Sequence, residues 1–105
     1  MTFILQIDTL DRNLDSQAAF ETEARGDVAQ YGDLCAAGYN LTEDNQRRNW
    51  YVCRTDNPRG SDAQVTLVNE GDAPPQGMTY VCTAFLRFGD ANAEAFDIYQ
   101  SPDIP

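Results

Sequence analysis

The sequence contains no histidine and no lysine. Without histidine, one chain cannot build a Ser-His-Asp or Cys-His pair, nor a zinc site with a histidine ligand. Without lysine there is no Schiff-base chemistry and no phosphate-loop lysine. The remaining acids and bases are Asp, Glu, Tyr and Cys. A carboxylate-pair hydrolase would need a deep cleft, which a chain of 105 residues builds poorly. The absences point to a non-enzymatic protein with no cofactor and no metal.

Cysteine is sparse as well. Cys35, Cys53 and Cys82 are isolated, so no Cys-x-x-Cys pattern exists for a metal or a redox pair. An odd count argues against a secreted disulfide scaffold. The residues after Met1 lack a basic start and a long apolar run, so neither a secretory signal nor a membrane span is expected. The expectation is a cytoplasmic protein with reduced thiols, in the host cytoplasm if the protein is viral. A Cys53–Cys82 disulfide is the alternative, and two small buried hydrophobes the plainer reading.

What is abundant is acid. Seventeen Asp and Glu face seven basic residues, all Arg, for a formal net charge of −10. That balance opposes direct binding to nucleic acid or to an anionic membrane. It is uneven: residues 1–46 hold nine acids and two arginines, residues 47–105 eight acids and five arginines. The hydrophobic fraction of 42% supplies enough material for a core.

The periodicity divides the chain. Phe3, Leu5 and Ile7 alternate with Thr2, Ile4, Gln6 and Asp8 and give a short first strand with one apolar face. Within residues 14–37, Phe20, Ala24, Val28, Tyr31 and Cys35 fall on one helical stripe. Asp15 or Ser16 would cap its start and Gly38 would stop it, with a break expected near Gly26. Residues 40–48 are polar and read as a loop. Residues 49–55 and 63–68 alternate around a turn cluster and read as a hairpin. Thr79 to Phe88 is the clearest strand, with Tyr80, Cys82, Ala84, Leu86 and Phe88 on one face. Phe85 and Val81 lie on the other and mark an exposed apolar patch. Residues 95–99 return as a last strand. The expected fold is α+β: a two-layer, mostly antiparallel sheet of about five strands (β-α-β-β-β-β) packed on one helix. Residues 1–100 would form a single domain and 101–105 a short extended tail.

Tyr51-Val52-Cys53 and Tyr80-Val81-Cys82 match 29 residues apart, each followed by a glycine and a further strand. A duplication there would give two successive hairpins. Arg25-Gly26-Asp27 spells an adhesion tripeptide but falls inside the helix, and Asn40-Leu41-Thr42 is a glycosylation sequon without a secretory context. Asp8, Asp11 and Asp15 lack the pattern of a calcium loop. Arg47-Arg48-Asn49-Trp50-Tyr51 mixes basic and aromatic residues as single-strand binders do. In a negative field the plainer reading puts Trp50 in the core and pairs the arginines with Glu43 and Asp44.

Carboxylates three or four apart on a helix are about 5–6 Å apart at Cβ, and strand phosphates in DNA recur at about 3.4 Å of axis per base pair. A helix and loop carrying Glu21, Glu23, Asp27, Asp33, Glu43 and Asp44 would therefore imitate a phosphate backbone. Tyr39 and Phe85 would anchor it. The expected function is a binding protein that occupies the basic surface of a nucleic-acid-binding protein or nuclease complex. Small acidic inhibitors of host nucleases, anti-restriction and anti-CRISPR proteins among them, share this description; that is a likeness of class. The alternative is a structural or assembly module, a small virion or complex subunit, that associates through sheet edges with a second copy or another subunit.

Overall fold

The computed structural model describes residues 4–8, 16–41, 47–89 and 92–101. In chain order its elements are β1 (Ile4–Asp8), α1 (Gln17–Tyr31), β2 (Leu34–Leu41), β3 (Arg47–Arg54), a 3-10 turn at Gly60–Asp62, β4 (Val65–Asn69), β5 (Thr79–Leu86) and β6 (Glu94–Gln100). The strands form two antiparallel sheets, β1-β3-β2 and β4-β6-β5. The fold is α+β, with one α-helix packed on antiparallel sheets, as the periodicity implies. The sheet expected as one layer of about five strands is two sheets of three.

The added strand is β2, which lies where the helix was expected to continue. Ser16 caps α1, its Oγ accepting from Ala19 N–H at 3.1 Å. The helix runs unbroken through Gly26, where an added Cβ would meet nothing within 4 Å. It stops at Gly32, not at Gly38. Gly32 has φ 120° and ψ −171°, a region essentially reserved for glycine. A Cβ there would sit 1.8 Å from the Arg54 carbonyl oxygen. Asp33 O accepts from Arg54 N–H at 2.8 Å, so the chain leaves the helix pressed against β3. Gly32→Ala is expected to cost about 3 kcal/mol or more from strain and overpacking. Urea unfolding checks this, and an unchanged midpoint would contradict the tight joint.

Residues 49–68 are likewise not a hairpin. β3 is the central strand between β1 and β2, and after the 3-10 turn the chain enters the other sheet as β4. The second expected hairpin, β5–β6, is present. The matched Tyr-Val-Cys triplets therefore occupy unlike places, one on a central strand and one on an edge strand. The real correspondence is topological: both sheets set their third strand between the first two. Leu34 opposite Cys53 matches Tyr80 opposite Tyr99, and Ala36 opposite Val52 matches Cys82 opposite Ile98, with a bulge at the same step.

One core serves both sheets. Phe20, Ala24 and Val28 of α1 meet Leu34, Tyr51 and Cys53 from the first sheet, and Val65, Leu67, Leu86, Phe96 and Ile98 from the second. Edge-to-face rings run through it, Phe20–Tyr51 at 5.4 Å, Phe20–Phe88 at 5.9 Å and Phe88–Phe96 at 5.8 Å. The edge strands β2 and β5 lie beside one another and are joined through side chains. Gln100 Oε1 accepts from Leu34 N–H at 2.9 Å. Asn49 donates to Arg87 O at 2.8 Å and accepts from Arg87 N–H at 3.0 Å. These buried amides satisfy backbone groups that no ladder reaches.

Candidate functional site

The acids nominated from the sequence separate by location. Glu21 Oε2 accepts from Leu67 N–H at 2.7 Å and so ties α1 to the outer edge of β4. Asp27 is buried and accepts a short hydrogen bond from the Tyr51 hydroxyl. Asp33 is paired with the Arg59 guanidinium and accepts from Asn57 Nδ2 at 2.9 Å. All three face inward or along seams, where helical spacing cannot place them on one outer stripe. Glu23 is exposed on α1. Glu43 and Asp44 lie outside the described residues, as do Asp11 and Asp15. The helix is therefore not a continuous row of outward carboxylates. The adhesion tripeptide is helical and its Asp27 is buried.

Tyr39 and Phe85 are not brought together. Tyr39 is half-buried opposite Asn49, on the face that carries Tyr51 and Cys53 toward the core. Phe85 is 60% exposed on the face of the second sheet turned away from the core. Its exposure is the one expected from the alternation of β5.

Tyr80 joins it there. The alternation groups Tyr80 with Cys82 and Ala84, yet the bulge between Tyr80 and Cys82 shifts the parity and pairs Tyr80 with Tyr99. Tyr80 is 53% exposed and its ring meets Tyr99 edge-to-face at 5.8 Å. Its hydroxyl shares a 2.7 Å hydrogen bond with Thr83 Oγ1, which donates to Asp97 Oδ1 at 2.7 Å. Asp97 Oδ2 accepts from Gly71 N–H at 3.2 Å. This chain fixes the strand connection after β4 against the open face. Exposed Glu70 follows β4, its N–H bonded to Ala95 O at 3.0 Å, and Ala95 is the cross-strand partner of Phe85. Exposed Asp72 lies in the same connection, whereas Glu94, also exposed, pairs with Leu86 and so belongs to the other face of β6. No sequence signal marks Tyr80, because a bulge does not show in a run of strand residues. Glu70 and Asp72 carry no charge signal of their own, because the acid excess lies in the other half of the chain.

The expectation that Trp50 packs in the core is overturned. Tyr51 takes that place, fully buried, while Trp50 is half-buried on the opposite face of β3. The two faces differ by one residue, and here the larger ring is turned outward. Arg48 and Arg54 share that outer face by alternation. Arg54 is ion-paired with Asp56 at 3.3 Å.

All three thiols are free. Cys53 is buried in the first sheet, and Cys82 is half-buried in the second and packed against the common core. Burial, then the nearby Asp27 carboxylate, pushes the Cys53 thiol up to about 12. Burial raises Cys35 and Cys82 as well. An unfolded thiol loses its proton near 9.0. The folded state thus binds more protons between those values, and stability intact below about pH 9 is expected to decline as pH rises toward 12. At pH 8 a thiol-exchange reagent is expected to spare Cys53 in the native chain and to react with all three thiols in denaturant. Rapid native reaction of Cys53 would contradict its burial.

Among the described residues no group of three His, Cys, Asp or Glu is placed to hold a metal ion. No helix among them is long and apolar enough to cross a membrane. Comparison with family models, curated proteins and solved structures finds no match for the chain.

Proposed function

We propose that this chain is a non-enzymatic binding protein that seats the open face of β4-β6-β5 on a basic, nucleic-acid-binding surface of a partner protein and blocks it. The observation that carries the reading is the pair Tyr80 and Phe85, both more than half exposed on one sheet face, with exposed Glu70 bonded to Ala95, the cross-strand partner of Phe85. Large exposed aromatics on a small domain are unfavourable unless something covers them, and aromatic anchors with a charged rim are the usual anatomy of a protein interface. The acids steer the encounter with a basic partner and oppose wrong ones. Inhibition of a nuclease complex of the restriction or CRISPR kind follows from the same chemistry. A cytoplasmic setting fits the reduced thiols.

Capture of partners from nuclease-treated source-cell lysate tests this, with washes at about 0.1 M and about 0.5 M salt. The Debye length is near 10 Å at the lower value and shrinks at the higher. A basic nucleic-acid-binding protein retained at low salt and depleted at high salt is the expected result. Recovery of the chain alone at both concentrations would overturn the proposal.

The second reading, assembly through a sheet edge, is supported by β1. Among the described residues no strand pairs with its outer edge, and Ile4 is 60% exposed. The corresponding edge of β4 is instead held by Glu21. Sedimentation that shows a concentration-independent monomer would count against this reading.

A further inference from the structure

Trp50 carries an inference independent of the Tyr80–Phe85 face. It lies on the outer face of the first sheet, opposite Gly38. A Cβ built on Gly38 would stand 2.9 Å from Trp50 Cζ2, 3.2 Å from Cε2 and 3.4 Å from Nε1. The indole therefore lies down across β2 on a spot that only glycine leaves open. One side of the ring rests on the strand, and the half-buried residue keeps accessible surface beyond it. Arg48 sits two residues along β3 on the same face. Two residues of strand span about 7 Å, close to the separation of base and phosphate within one nucleotide. The Arg48 Nε is buried with no hydrogen-bond partner among the described residues. Arg54, on the other side of Trp50, is already paired with Asp56.

We propose that Trp50 and Arg48 form a binding site for a nucleoside monophosphate, with the base stacked on the indole and the phosphate held by the guanidinium. Stacking on a tryptophan tolerates any base, and a guanidinium matches phosphate in charge and in fork geometry. The chain's net charge of −10 selects the small ligand over a polynucleotide. A long polyanion meets the whole repulsive field, whereas one phosphate at Arg48 meets that arginine, two residues along β3 from the position where Asp8 of β1 stands opposite Trp50.

Trp50 is the only tryptophan, so its fluorescence reports the site directly. The intact chain is titrated with adenosine 5′-monophosphate, adenosine, inorganic phosphate and a single-stranded oligonucleotide. Saturable quenching by the monophosphate is expected, with adenosine and phosphate each weaker by roughly tenfold or more. Arg48→Ala should reduce the monophosphate to the affinity of adenosine, and Arg48→Lys should recover part of the loss. Gly38→Ala, which displaces the indole, should weaken both the nucleotide and the nucleoside. Calorimetry with Trp50→Leu should show no binding, with circular dichroism confirming that the variant is folded. The proposal is overturned by the absence of saturable quenching at millimolar monophosphate, by equal affinity for adenosine, or by an Arg48→Ala variant that binds as the parent does. It is equally overturned if the oligonucleotide binds more tightly per site than the monophosphate, which would make the face a single-strand platform.

Discussion

Asp27→Lys is expected to leave no folded protein, while Glu23→Lys, four positions away on the same helix, is expected to unfold at the parental midpoint. Asp27 is 8% exposed and takes the Tyr51 hydroxyl as donor. Tyr51 is fully buried against Phe20. A lysine at that position would bury a cation and strip the tyrosine of its acceptor. Removing one partner of a buried charged hydrogen bond costs about 3–5 kcal/mol, a large share of the 5–15 kcal/mol typical of a whole domain. Glu23 is exposed, and surface substitutions of its kind usually shift stability by about 0.5 kcal/mol or less. Circular dichroism and urea unfolding of the two variants check the contrast. A folded Asp27→Lys protein would contradict the assignment of Asp27 to the core. Asp27→Asn, which keeps an acceptor, is expected to fall between the two.

Replacing both Tyr80 and Phe85 by aspartate is expected to weaken partner binding at least a hundredfold and to leave the fold intact. Anchor residues of an interface are each worth about 2–4 kcal/mol on truncation, and about 1.4 kcal/mol is a factor of ten. Both side chains are more than half exposed, so the folded state loses little. The Tyr80 hydroxyl does bond Thr83, so Tyr80→Phe is the matched control, keeping the ring while losing the bond. Loss of binding in the aspartate pair with retention in Tyr80→Phe would identify apolar contact as the anchor. Unchanged binding by the aspartate pair would remove this face from the interface. A single reversal at Glu70 is expected to act more weakly, chiefly on the association rate and its salt dependence.

The sequence reading and the structure agree where one period runs without interruption. The stripe Phe20, Ala24, Val28 is the buried face of α1, and Ala84, Leu86, Phe96 and Ile98 are the buried face of the β5–β6 hairpin. They part where a single backbone conformation decides. Tyr31 and Cys35 continue the helical stripe in spacing, but Gly32 at φ 120° ends the helix between them, so Tyr31 closes α1 and Cys35 falls in β2. A bulge reverses Tyr80, and one residue of strand phase sends Tyr51 inward and Trp50 outward. The division into two sheets was hidden because strand pairing is a long-range choice, and Gln100 and Asn49 make their joining bonds to Leu34 and Arg87 across distant stretches of chain. The acids illustrate the same limit. Charge spacing along a helix sets angular position, whereas hydrogen bonds to Leu67, Tyr51 and Arg59 decide which carboxylates remain for a partner.

The central claim is that the chain competes with nucleic acid for one surface of its partner. The most direct measurement is the anisotropy of a labelled oligonucleotide bound to the captured partner, titrated with the chain at about 0.1 M salt. The account predicts a fall to the free-probe value with the parent chain and with Glu23→Lys, and no fall with the Tyr80→Asp, Phe85→Asp pair. A rise in anisotropy with the parent chain, the signature of a ternary complex that retains its nucleic acid, would contradict it.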